Sequence, residues 1–213
     1  SFTSLSKVMI LIHKESREDR FMPTISGLLL FGKSPETLLV QSKIKADRFQ
    51  GAEPVNTIDY QIIKGSLPQM WERAKEFFLK NIRTAMRIEG FSRVLIEEYP
   101  EEAFREAVIN AMVHRDYEIK GATIMINMFS DRMVIASPGL LPSPLTLEDI
   151  RKFKYRPVSR NPIIARTMLE MGFIEERGGG IRRMHNMMIN YGLKPPEFAY
   201  DPGYFTVPVY GPG

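Results

Sequence analysis

The stretch Tyr99–Tyr117, YPEEAFREAVINAMVHRDY, decides how the rest of the chain is read. Ala103, Phe104, Ala107, Val108 and Ala111 fall at helical offsets and make one apolar stripe. Pro100 suits a first helical position, and the glutamates after it suit the positive end of the helix dipole. The stretch therefore reads as one amphipathic helix. Beside the apolar stripe, Glu102, Glu106, Asn110 and His114 recur every four residues and climb a second stripe, one turn apart. A carboxylate, an amide and an imidazole on one face can share a ligand or simply meet water. The helix alone leaves both open.

Outward from the helix, Asp131–Gly139 (DRMVIASPG) reads as a strand running into a Pro-Gly turn. Glu176–Met184 (ERGGGIRRM) reads as a glycine-rich turn opening a helix. Gly178, Gly179 and Gly180 would let the backbone approach an anion and aim free N–H groups at it. Arg177, Arg182 and Arg183 add positive charge there.

Glu-x3-Asn on a helix, then a strand ending at a glycine turn, then a second glycine turn before a helix, resembles the GHKL ATPases. These are the gyrase, heat-shock-90, histidine-kinase and mismatch-repair type ATP-binding domains. More closely, the chain is similar to RecG-like proteins described as ATP-dependent helicases, often found behind a Schlafen/AlbA-type DNA-binding domain. The matching phrases are PTISGLLLFGKSP (Pro23–Pro35), REAVINAMVHRDY (Arg105–Tyr117), SPGLLP (Ser137–Pro142), SRNPIIA (Ser159–Ala165) and ERGGGI (Glu176–Ile181).

The resemblance implies an α+β chain: a two-layer α/β sandwich of GHKL (Bergerat) type with an N-terminal α+β extension. It implies ATP and Mg²⁺ as cofactors. By position, Glu106 would orient the attacking water and Asn110 would ligate Mg²⁺. His114, Ser137, Gly139, Arg160, Gly178, Gly179 and Gly180 would bind the nucleotide. One departure matters. The family's first glycine box reads Asp-x-Gly-x-Gly, and its aspartate reads adenine. Here Ser137, Pro138, Gly139, Leu140 and Leu141 stand in its place, so only Gly139 remains. A serine carries no charge, and poor base selectivity is expected. The resemblance implies a nucleotide-binding module of a DNA-associated or transcriptional regulator, with slow ATPase activity. DNA would be met through a further domain, and a homo-oligomer is compatible with the pattern. Two alternatives stay open: a degenerate, non-catalytic assembly domain, and a nucleic-acid-binding module. The second would use Arg151, Lys152, Lys154, Arg156 and Arg160, which interleave with Phe153 and Tyr155.

Bulk properties narrow the class. A length of 213 residues allows one large domain or two small ones. A soft boundary is expected near Gly90, between an N-terminal α+β region (1–90) and the ATPase-like domain (91–213). Hydrophobic content of 44% places the chain among ordinary globular proteins. No apolar run reaches membrane-spanning length, and no secretory leader is read, so a cytoplasmic protein is expected. The start Ser-Phe-Thr, without methionine, reads as an excised segment. With no cysteine, disulfides and thiolate metal sites are excluded. His13, His114 and His185 lack zinc-ligand spacing. A net charge of +4 permits nucleic-acid contact without arguing for it. No Gly-x4-Gly-Lys-Ser/Thr motif occurs, so no helicase motor is expected.

In chain order, Leu5–His13 reads as helix and Thr24–Phe31 as a short buried helix stopped by Gly32. Val40–Phe49 and Ile58–Ile63 read as partner strands, the first half-buried. Leu67–Ala85 reads as a long helix with Trp71 in its core stripe, and Arg87–Glu97 as one or two strands. Ala122–Phe129 and Met133–Ala136 read as a hairpin. Thr146 opens a short helix with Asp149 in a capping-box position. Asn161 caps a helix running to Met171, Ile181–Tyr191 is helix, and Phe205–Tyr210 is a closing strand.

Overall fold

The computed structural model describes residues 12–14, 21–89, 92–174 and 179–212. Its elements run β1 (Ile12–Lys14), β2 (Phe21–Pro23), α1 (Ile25–Phe31), β3 (Ile44–Phe49), β4 (Thr57–Ile63), α2 (Leu67–Asn81), β5 (Thr84–Glu89) and β6 (Ser92–Glu97). Then follow α3 (Glu101–His114), β7 (Ile124–Met128), β8 (Arg132–Pro138), α4 (Leu147–Arg151), α5 (Pro162–Glu170), α6 (Gly180–Asn190), β9 (Ala199–Asp201) and β10 (Tyr204–Tyr210). Residues 5–11 of the first expected helix lie outside the described residues. Ile12–Lys14, which overlaps its end, is a strand paired with β2.

Six strands form the main sheet in the order β4-β3-β7-β8-β10-β9. The β3–β7 pair is parallel and the others antiparallel. Buried Ile124, Ile126 and Met128 alternate along β7 with part-buried Met125 and Asn127, the pattern of a sheet with one well-covered face. α2 packs on β3 and β4, α3 packs on β8, and α6 packs on α3. The chain is thus the expected α+β, two-layer sandwich. The sheet takes β3 and β4 from before the expected boundary near Gly90 and its other four strands from after it. Gly90 itself lies outside the described residues.

Within the helical layer, α3 is locked to α2 by aromatic packing. Phe104 on α3 stacks on Phe78 of α2 at 4.2 Å and leans on Trp71 at 6.0 Å. Such pairs add about 0.5–1.5 kcal/mol each beyond their buried area. Trp71 is only 5% exposed, a core residue.

Several elements are shorter than expected, among them α3, which spans Glu101–His114, and β7, which spans Ile124–Met128; tertiary contacts explain two others, α2 and β3. α2 stops at Asn81 because Ile82 turns extended and Arg83 pairs with the buried Glu98 through backbone and side chain. The strand expected from Val40 begins at Ile44, because Gln41 donates its amide to Tyr117 O at 3.0 Å across the fold. That strand is also buried at five of six positions rather than half-buried, since it lies inside the sheet between β4 and β7.

Candidate functional site

The site is built on the last turns of α3. The final carbonyls of a helix have no partner inside it, and here distant side chains supply them. Ser137 Oγ donates to Ala111 O at 2.9 Å. Asn161 Nδ2 donates to both Val113 O and Arg115 O at 2.8 Å. Asn161 was expected to cap its own helix. Instead it makes no side-chain cap on α5 and secures α3. The His114-Arg115-Asp116 run completes the joint. Arg115 is 1% exposed, and its guanidinium donates to the carbonyls of Asp116, Ile119 and Ala122.

Gly139 fits this joint for a steric reason. Its φ is +109°, and a Cβ there would lie 2.8 Å from Asp116 Cβ. Asp116 N donates to Pro138 O at 3.0 Å, and Gly139 N to Gly203 O at 2.9 Å. The Asp116 carboxylate then meets Arg160 at 2.9 Å, while Arg160 also donates to Leu140 O at 2.7 Å. One guanidinium therefore pins both ends of the 140–160 segment to the end of α3.

That segment roofs a cleft of about 370 Å³, within the range of small-molecule sites. Glu106, Asn110 and His114 line it together with Ser137, Gly139 and Gly180. The remaining wall is mostly apolar, with Ile135, Leu141, Ile150, Leu169 and Val207 among its members. Asn110 Nδ2 donates to Glu106 Oε1 at 2.8 Å, which fixes the amide and leaves Asn110 Oδ1 as the acceptor. A Cβ on Gly180 would fall 1.6 Å from Glu106 Oε1. The anion that this glycine admits is thus a carboxylate of the same chain, set against the first turn of α6. Gly179 is the N-cap of α6, and Gly178 lies outside the described residues. Arg160 stands behind the cleft, engaged by Asp116.

Burial and the nearby Arg160 charge hold His114 below its ordinary value of 6.5, so it sits neutral at pH 7. Burial, then the Glu106 charge, pushes the Tyr155 phenol up, which places this cleft residue near the carboxylate. Because the folded value of His114 is depressed, its contribution to stability is present above pH 6.5 and lost as the pH falls through the folded value. Melting temperatures of wild type and His114→Gln, taken from about pH 7.5 to about pH 5, should diverge on the acid side, with wild type falling more steeply. Parallel curves would show that His114 is not the titrating group.

The basic segment is largely engaged. Arg151 donates to Phe198 O at 2.6 Å, Lys152 pairs with Glu148, and Arg160 is held as above. Lys154 and Arg156 face solvent. The sequence places Tyr155 only within the basic segment and Asn161 only as a local cap, and does not mark Ser159 as a cleft residue. Asn161's partners lie 46 and 48 residues away, beyond any local pattern.

Residues 121–209 match the family model described as "Putative ATP-dependent DNA helicase recG C-terminal". These residues are similar to a RecG-type, ATPase-like domain. The matched residues hold β7 to β10 with Ser137, Gly139, Arg160, Gly179 and Gly180, whereas Glu106, Asn110 and His114 lie on α3, before them. The crystal structure of the DIP2311 protein from Corynebacterium diphtheriae is similar in fold, with a TM-score of 0.77 and 23% identity. The likeness covers 90% of this chain and 38% of that one. No curated protein matches the chain. Among the described residues, no helix is long and apolar enough to cross a membrane.

Proposed function

We propose that the cleft binds ATP with Mg²⁺, and that the chain is the nucleotide-binding module of a DNA-associated regulator with slow ATPase activity and no helicase motor. The observation that carries this reading is the Asn110–Glu106 pair, fixed at 2.8 Å on the wall of a nucleotide-sized cleft. The donor set fits Mg²⁺. Asn110 Oδ1 is a hard oxygen left to accept, and Mg²⁺ commonly takes one or two protein oxygens, keeping waters and phosphate oxygens for the rest. Among the described residues no cluster of three or more His, Cys, Asp or Glu forms an all-protein metal cage. When bound, the ion would supply charge neutralisation for the phosphates.

The chain's own groups have separable tasks. In this reading Glu106, held by Asn110 and seated against Gly180, accepts a proton from a water. His114, neutral, adds no charge to the wall. Ser137 directs its proton to Ala111 O and offers the ligand only lone pairs, so it supplies no charged contact to a base. Calorimetric titration should therefore give Mg²⁺-dependent binding of ATP and GTP with comparable affinities. Tight ATP binding with GTP excluded would assign base reading to a group other than Ser137. Absence of binding for both nucleotides in the presence of Mg²⁺ would overturn the reading.

A further inference from the structure

The main sheet ends on two unlike edges. β9, at one edge, is three residues long. β4, at the other, runs seven, and no described strand pairs with its outer side. Free edges of natural sheets are blunted by shortness, by proline, by a charge or by a bulge. β4 holds no proline and no lysine, and its register shift falls at Ile58, which leaves Asp59–Ile63 regular. Its one charge is already satisfied inside the chain: Asp59 accepts from Asn81 at 2.8 Å and meets Lys80 at 2.9 Å. Both partners belong to α2, so Asp59, Gln61 and Ile63 look toward the helices, while Tyr60 and Ile62 look away. Tyr60 is 53% exposed. Its N–H donates to the Asp59 carboxylate at 3.0 Å, a neighbour's side chain standing where a partner strand would accept.

We infer that β4 is the docking edge for a second copy of this chain, whose own β4 pairs with it antiparallel about a two-fold axis at Gln61 and extends the sheet. A two-fold axis matches residues symmetrically about one position. Centred on Asp59, it would oppose two like charges. Centred on Tyr60, it would draw the bulged Ile58 into the ladder against Ile62. Centred on Gln61, it pairs the whole regular run. Tyr60 then faces the second copy's Ile62, an aromatic against a β-branched side chain. Gln61 faces Gln61, two amides that can each donate and accept. Asp59 keeps its α2 partners and faces Ile63, so no charge meets its like. Tyr60 and Ile62 exchange backbone hydrogen bonds in this register, which gives the Tyr60 N–H a carbonyl. The contact is smaller than a standard interface, so the dimer is weak and concentration-dependent. It asks nothing of the cleft and stands whether or not nucleotide binds there.

The chain has no cysteine, so single introduced thiols report the register. Opposed residues of a non-hydrogen-bonded antiparallel pair sit about 4.5 Å apart at Cα, within disulfide reach. Gln61→Cys should therefore cross-link to a second copy on mild oxidation, while Ile58→Cys on the same edge and Tyr200→Cys on the β9 edge stay monomeric over the same time. Analytical ultracentrifugation of the uncross-linked wild type from about 10 μM to about 1 mM should show a shift from monomer to dimer. Gln61→Lys and Gln61→Glu each set like charges across the axis and should lose that shift. An equimolar mixture of the two should regain it, which excludes misfolding as the cause of the loss. A wild type that stays monomeric across the range would overturn the inference and leave the edge to a strand from another protein. Cross-linking of Gln61→Cys no faster than that of the other two thiol variants would overturn it as well. So would a dimer that persists in Gln61→Lys, or a Lys/Glu mixture that stays monomeric, because the contact would then lie elsewhere.

Discussion

Asn110→Ala is expected to abolish Mg²⁺-linked nucleotide binding, because the cation would lose its single protein oxygen and Glu106 would lose its hydrogen-bonded neighbour. Glu106→Gln should behave differently. A glutamine still accepts the Asn110 amide proton, so the pair and the cleft wall survive and binding persists. What disappears is the base. A positioned general base supplies about 10² to 10⁴ in rate, so a slow ATPase would drop below detection. The two variants therefore separate ground-state binding from the chemical step. Turnover unchanged in Glu106→Gln would rule out a water-activating role for this carboxylate. Binding in wild type with no turnover at all would favour the regulatory, non-catalytic form of the same module.

Gly139→Ala should cost stability substantially. The added Cβ meets Asp116 Cβ at 2.8 Å, and a φ of +109° strains any residue with a side chain. Backbone strain of this kind amounts to about 1–3 kcal/mol before the clash is counted. For a chain of this size each kcal/mol shifts the melting point by about 2–4 °C. A drop of roughly 5–10 °C is thus expected in differential scanning calorimetry. The joint between Pro138, Asp116 and Arg160 should loosen with it, so nucleotide affinity should fall as well. A variant melting within a degree or so of wild type would show that the turn can be re-formed without glycine.

The elements were legible where periodicity carried them. The stripe Ala103, Phe104, Ala107, Val108 and Ala111 gave α3, all five residues being buried. Thr146 and Asp149 gave the capping box at α4. Extents failed where a distant group decided them, as Glu98 did for α2 and Tyr117 did for β3. The same limit applies to the site. The spacing of Glu106 and Asn110 placed them on one face, and the structure joins them by a hydrogen bond. The three glycines predicted close approach to an anion, but spacing could not reveal that Gly180 meets Glu106. Asn161 read as a local cap, and only the folded chain shows its amide turned toward α3. Local signals state what a residue can do; partners far along the chain choose among those options.

The single parallel pairing in the main sheet bears on how the chain reaches this state. β3 and β4 close on each other through a short loop, and so do β7 and β8. β3 and β7 cannot meet until everything between Phe49 and Ile124 has been gathered, including α2, the β5–β6 hairpin and α3. Closing so long a segment carries an entropic penalty that local pairings avoid, and non-local contacts of this kind slow folding. The seam has a practical corollary for fragments. Cutting the chain down to residues 121–209 would strip β3 from β7 and leave a row of bare backbone N–H and C=O groups along Ile124–Met128. An edge strand exposed in this way recruits other chains, so such a fragment should self-associate.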